Sequence, residues 1–168
     1  WWAAPYLWRW VPVFLPLVAL AGWAAWKRQD RSLGAGLDTV VAASLLLPVS
    51  WDVASGGSAG LAATPEIWTQ TALLFGYFAG TVFYVKTNIR ERGNEAFYRA
   101  SVLWHAAGTV AAAVAGASGT SWHWVPLFAA LTARAAAIPR LRRPWTPKRI
   151  GFIEVGVCVV IGLIAALA

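Results

Sequence analysis

Six blocks of mostly apolar residues, each about 20 residues long and joined by links too short to fold alone, constrain this chain more than any other feature. An α-helix rises about 1.5 Å per residue, so such a block matches a hydrocarbon core of about 30 Å. The blocks run from Trp8 to Trp26, Leu33 to Asp52, Ile67 to Val85, Ala96 to Gly116, Trp122 to Pro139 and Ile150 to Ala168. A transmembrane barrel would show short alternating segments instead, and none is present. Composition agrees: the 168 residues are 59% hydrophobic and 12% charged, with a mean hydropathy of +0.58, too apolar for a soluble domain of this size. The expected fold is all-α, a polytopic transmembrane bundle with about six spanning helices, and the short links predict a single bundle over residues 1–168.

Glycine and proline mark several block ends, as in SGGSAG (55–60), Gly93, GASG (116–119) and RRPWTP (142–147). Cations are retained on the cytoplasmic side of a bilayer, and here they alternate between links. Lys27, Arg28 and Arg31 follow the first block, Lys86, Arg90, Arg92 and Arg99 surround the third link, and Arg140, Arg142, Arg143, Lys148 and Arg149 fill the fifth. The links at 53–66 and 117–121 contain no Lys or Arg. This predicts a multi-pass protein of the cell membrane with those two links and the carboxyl terminus outside, and with the net charge of +7 gathered into a cytoplasmic rim. Trp8, Trp10, Trp122 and Trp124, with His123, are expected in an outer aromatic belt. The rim favours anionic lipid over nucleic acid as the partner of a chain with a pI near 10.3. The absence of Met predicts a fragment of a longer chain, and the single Cys158, in an apolar stretch, excludes an internal disulfide framework and Cys-x-x-Cys metal sites.

The third block ends in YVKTNIRERGN (84–94), which places Lys86 and Arg90 one turn apart on one helix face. Cations at a cytoplasmic helix end snorkel to the interface and complement the helix dipole. Two of them at i and i+4 repel unless an anion lies between, and Glu91 is off their face. A phosphate or carboxylate would serve, with Arg90 as a forked donor and Lys86 as a point charge. Gly76 and Gly80 in the same block form a small-xxx-small pair that lets another helix approach. In the fourth block Tyr98, Ser101, His105 and Thr109 recur at steps of three and four, a polar face that must turn inward. A neutral His105 bonded to a carbonyl or hydroxyl is expected there, and a bis-histidine haem is disfavoured because His123 belongs at the other end. Arg134 and Glu154 each lie five residues inside a cationic interface, roughly 7 Å deep, so they match in depth on sequential antiparallel helices and are expected as a buried ion pair. Asp38 could join that polar layer or complement the first turn of its own helix. Together Arg28, Lys86, Arg90, Arg99, Arg134, Glu154 and Asp38 concentrate polar groups in the cytoplasmic third, leaving the outer half almost bare.

The segments FYVKTNIRERGN, YRASVLWHA and TPKRIGFIEV, with KRQDRSLGAGLDTVVAAS before them, resemble the YwiC-like family of bacterial integral membrane proteins. Recurrent features of that family are FYVKT-x-IRE, a tyrosine or serine and a histidine on the next helix, and a late TPK-x-x-G-x-x-E. Its amino-terminal His-Gly-Ala-Trp-like motif is absent here. The resemblance implies a bacterial membrane protein without an assigned reaction. In arrangement the chain is also similar to the UbiA superfamily of intramembrane prenyltransferases, whose two Asp-rich motifs hold Mg²⁺ and an isoprenyl diphosphate. Where the second motif would stand, this chain has Lys86 and Arg90, which cannot hold Mg²⁺ but can bind phosphate directly.

The sequence thus predicts a cationic cytoplasmic-side pocket for an anionic lipid or isoprenoid phosphate, lined by Lys86, Arg90, Arg99, Arg28 and His105, behind which lie Arg134, Glu154 and Asp38. No metal, cofactor or nucleic acid is expected. Binding without turnover is the leading class. The alternatives are a degenerate or metal-independent UbiA-like transferase, and a small-solute transporter or membrane-complex assembly subunit.

Overall fold

A computed structural model describes residues 4–29, 31–120, 122–141 and 145–167, the side chains of 165–167 excepted. The described residues are helical with short links and include no strand. A 3₁₀ turn, Pro5–Trp10, leads into α1 (Val11–Trp26), followed by α2 (Leu33–Ser44), α3 (Leu46–Ala54), α4 (Pro65–Ile89), α5 (Glu95–Ala117), α6 (Trp124–Ala137), a 3₁₀ turn Ile138–Arg140, and α7 (Pro147–Leu167). These limits fall within about one turn of the six apolar blocks. Among the described residues, three rods have the length and hydropathy to cross a bilayer: Pro5–Trp26, Leu33–Ala54 and Glu95–Ala117. Polar ends and Thr69, Gln70 and Thr71 dilute α4, and the 14 residues of α6 fall short of the roughly 20 that a perpendicular crossing needs.

The chain divides into two compact units, Trp1–Phe75 and Gly76–Ala168, with the boundary inside α4. In the first unit α1 packs on α2 through the turn between them. Arg28 adopts φ 55°, while Gln29 N–H donates to the Ala24 carbonyl at 2.8 Å and Arg28 N–H to the Ala25 carbonyl at 2.9 Å. This is a Schellman closure with arginine in the left-handed position that glycine occupies more cheaply, by about 1 kcal/mol. Ser32 then starts α2, its Oγ accepting from Ala35 N–H at 3.1 Å. The rod breaks at Leu45 because Pro48 has no N–H for the Ser44 carbonyl.

In the second unit α5 and α6 form the principal pair. The polar face of α5 turns onto its neighbours: Tyr98 Oη donates to the Ala136 carbonyl at 3.0 Å, and Thr109 and Thr132 hydroxyls meet at 2.9 Å. Glycines admit the bulky side chains. A Cβ on Gly108 would stand 2.7 Å from the Phe128 ring and one on Gly116 2.8 Å from Trp122. Near the cationic end of this unit Tyr84, Ala135 and Ile150 form a buried core, covered by Val85, Ile138 and Trp145.

Two of the four tryptophans expected in an interfacial belt are instead buried. Trp10 is 3% exposed and Trp124 is 0% exposed, whereas Trp8 and Trp122 face outward. Trp10 is drawn inward by a hydrogen bond to Asp52, and Trp124 packs on Phe128 with ring centroids 6.3 Å apart.

The GYFAG glycines separate on packing. A Cβ on Gly76 would touch Phe128 at an ordinary 3.7 Å, but one on Gly80 would lie 3.0 Å from His105 Nε2, on a ring held by its own hydrogen bond. Gly76→Ala is therefore expected to be neutral or stabilising by up to about 1 kcal/mol, the helix-propensity gain. Gly80→Val is expected to cost about 1–3 kcal/mol by overpacking. Thermal unfolding of both variants in one detergent checks the ordering.

Candidate functional site

Two polar clusters are buried in the helices, and they differ in whether their hydrogen-bonding groups are filled. The first lies in the unit Trp1–Phe75. Asp52 is fully buried; its Oδ2 accepts from Trp10 Nε1 at 2.9 Å and its Oδ1 from Gly60 N–H at 2.7 Å. Arg9 Nε lies 3.8 Å from Oδ2 and donates to the Tyr6 carbonyl at 2.8 Å, while Nη2 donates to the Gly57 carbonyl at 2.9 Å. Gly57 and Gly60, both at positive φ, leave room for Tyr6 and Arg9. This closed latch ties the 55–62 loop to the first turn of the chain. It lies at the end of α1 remote from Lys27, in the half that the sequence reading left almost bare, and Arg9 was not among the residues singled out. The available signal was an arginine inside WRW with an aspartate inside an apolar block, each needing a partner.

The second cluster lies in the unit Gly76–Ala168 and draws on four helices. Arg134 on α6 is ion-paired through Nη1 to Glu154 Oε1 on α7, and both side chains are nearly buried. Thr81 Oγ1 on α4 donates to Glu154 Oε2 at 3.1 Å. The Arg134 guanidinium stands over the Tyr84 ring, 4.0 Å from its centroid. One turn before Thr81, Tyr77 Oη lies 3.3 Å from Cys158 Sγ. On α5 His105 is 3% exposed, and its Nδ1 lies 2.7 Å from the Ser101 carbonyl. A carbonyl only accepts, so Nδ1 carries the hydrogen and Nε2 faces Gly80.

Unlike the latch, this cluster has buried groups without partners among the described residues: Arg134 Nε and Nη2, the Tyr84 hydroxyl and Ser101 Oγ. Nε and Nη2 share one edge of the guanidinium plane, the edge that grips a carboxylate or phosphate with two parallel hydrogen bonds. Leaving such donors unmet costs several kcal/mol in a low-dielectric setting, so the arrangement suits an acceptor that arrives from elsewhere. Both atoms are closed to solvent, so an acceptor reaches them only as the neighbouring side chains move.

The other predicted site residues are distributed as follows. Lys86 is half-buried and Arg90 exposed near the end of α4. The cap of that helix is supplied by Arg92, whose Nε and Nη2 donate to the Asn88 carbonyl at 3.0 and 2.6 Å. Arg99 is exposed and pairs with Glu95 at 3.1 Å, and Arg140 approaches the same carboxylate at 3.6 Å. Arg140 also stacks on Tyr98, beside a cleft of about 180 Å³ that includes Asn88, Glu91 and Asn94. Arg28 and Asp38 belong to the first unit. Arg142 and Arg143 lie outside the described residues.

The α1–α2 hairpin, with its Schellman turn, Ser32 cap and Asp38, forms one continuous stretch of the first unit. A family model covers it. Residues 1–51 match the YwiC-like protein family. The YwiC-like segment holds Arg9, Trp10, Arg28 and Asp38 and ends one residue before Asp52. FYVKTNIRERGN, YRASVLWHA and TPKRIGFIEV lie beyond the matched residues. No curated protein and no solved structure matches the chain.

The Arg134–Glu154 pair can be separated into structural and binding contributions. Glu154→Ala strands a buried guanidinium and is expected to cost about 3–5 kcal/mol, whereas Arg134→Leu with Glu154→Leu removes both charges and should recover most of that loss. Reversible unfolding in mixed micelles measures both; equal destabilisation of single and double variants would contradict the pairing.

Proposed function

We propose that this chain is the membrane-embedded part of a multi-pass protein of the bacterial inner membrane that binds an anionic lipid or an isoprenoid phosphate at the cytoplasmic, cationic end of residues 76–168. The reading rests on one observation, the unfilled Nε and Nη2 edge of Arg134 above Tyr84. In this reading all six rods cross the bilayer and the carboxyl terminus lies outside. Lys86 and Arg90 meet the phosphate at the interface, Arg99 supplies further rim charge, and Arg134 offers the forked edge one layer deeper, where His105 bounds the site. One further feature supports it: Arg92 already caps α4, so Lys86 and Arg90 are not needed for that purpose. Binding is favoured over transfer because the positions where a UbiA-like metal motif would stand carry cations.

The full-length protein, its Lys86→Ala/Arg90→Ala variant and its Arg134→Leu/Glu154→Leu variant are purified in parallel and their bound lipids identified by mass spectrometry. The expected result is a phosphorylated lipid or isoprenoid that accompanies the wild type and falls by tenfold or more in both variants, as loss of one charge-assisted contact of about 1.5–3 kcal/mol implies. Identical lipid profiles in three folded proteins would refute the proposal.

A further inference from the structure

The turn between α1 and α2 encloses a second candidate site, independent of the one above. A cavity of about 270 Å³ is lined by Trp23 and Ala24 from the end of α1, Gln29 and Ser32 from the link, and Ala35 and Asp38 from α2. Its walls are mostly apolar; Ser32 Oγ already accepts from Ala35 N–H, and the backbone N–H of Gln29 is used by the Schellman closure. Asp38 carries the open acceptor. Its Oδ1 is buried with no hydrogen-bond partner, and Asp38 forms no ion pair among the described residues. It lies five residues into α2, about 7.5 Å along the helix axis. A carboxylate at that depth in a membrane is costly unless a cation meets it. The neighbouring Lys27 does not do so; its Nζ sits 5.2 Å above the Trp26 ring.

We propose that this cavity receives the primary ammonium group of an aminophospholipid. An unmet carboxylate oxygen requires an N–H or O–H donor, and its charge selects a cationic one. The Trp23 indole on the wall favours a cation over a neutral donor. A primary ammonium brings three N–H donors, whereas the quaternary ammonium of choline brings none, so the site discriminates between two common head groups by a hydrogen bond that only one can make. The membrane is the source of the amine because the cavity borders exposed apolar side chains, with Leu20 54% and Trp23 52% exposed, where acyl chains lie. The exposed link cations Lys27 and Arg28 stand at the same turn, in reach of the lipid's phosphate.

The test compares full-length protein and its Asp38→Asn variant in nanodiscs of phosphatidylcholine alone and of phosphatidylcholine with phosphatidylethanolamine. Thermal unfolding is the first readout, and competition between the two lipids in native mass spectrometry the second. The expected result is a wild-type melting temperature raised by phosphatidylethanolamine and a preference for it of about tenfold, the worth of one hydrogen bond to a charged group. Both should vanish in Asp38→Asn, which in phosphatidylcholine alone should be at least as stable as wild type because an uncompensated charge is gone. Equal behaviour of the wild type in the two lipids, or a preference that survives in Asp38→Asn, would overturn the proposal. Free ethanolamine added to phosphatidylcholine discs distinguishes the source: a shift equal to that of the lipid would keep the ammonium chemistry and overturn its assignment to the membrane.

Discussion

A polar group inside hydrocarbon has no water to bond with, and most of this structure follows from that restriction. It makes the apolar blocks helical, since a helix satisfies its own amides. It places hydroxyls back on their own carbonyls, as Ser44 does on Val40 at 2.8 Å and Thr71 on Ile67 at 2.7 Å. It also turns the few charged side chains within the rods toward partners, Arg9 toward Asp52 and Arg134 toward Glu154.

The two buried clusters obey the restriction to different degrees. Both oxygens of Asp52 are occupied, one by an indole and one by a backbone amide, and both donating sides of Arg9 end on carbonyls. Arg134 spends one nitrogen on Glu154 and its flat face on Tyr84, and retains an edge with two donors. A fully satisfied network rigidifies, whereas a partly satisfied one is poised for a further partner or a rearrangement. Asp38 is the acceptor counterpart in the other unit, one oxygen unmet at the wall of a cavity.

Much of the helical pattern was legible along the chain. Hydropathy marks the rods and Gly93, at φ 87°, terminates the third, whereas the block Leu33 to Asp52, expected as one helix, breaks at Leu45 before Pro48. The common depth of Arg134 and Glu154 could be counted from flanking cations. Other features were not legible. Trp10 and Trp124 read like belt residues because an aromatic near a rod end can face lipid or protein, and only the neighbours at Asp52 and Phe128 decide. Gly76 and Gly80 look equivalent in GYFAG, yet one faces a phenyl ring at ordinary distance and the other a fixed imidazole. Arg92 caps α4 because it stands four residues after Asn88, within reach of that carbonyl.

The sequence by itself determined the helical blocks, several of their glycine- and proline-marked ends, and the clustering of cations at alternate links, because hydropathy and turn chemistry act on residues a few positions apart. Only the tertiary structure decided which polar groups are satisfied and which remain open. Trp10 and Asp52 are 42 residues apart and Arg134 and Glu154 are 20 apart, so their bonding depends on how each helix is rotated about its axis and which side chains fill the space between. Periodicity assigns a residue to a face of its helix but does not specify what that face meets, and that meeting closed the latch at Asp52 while leaving one edge of Arg134 open.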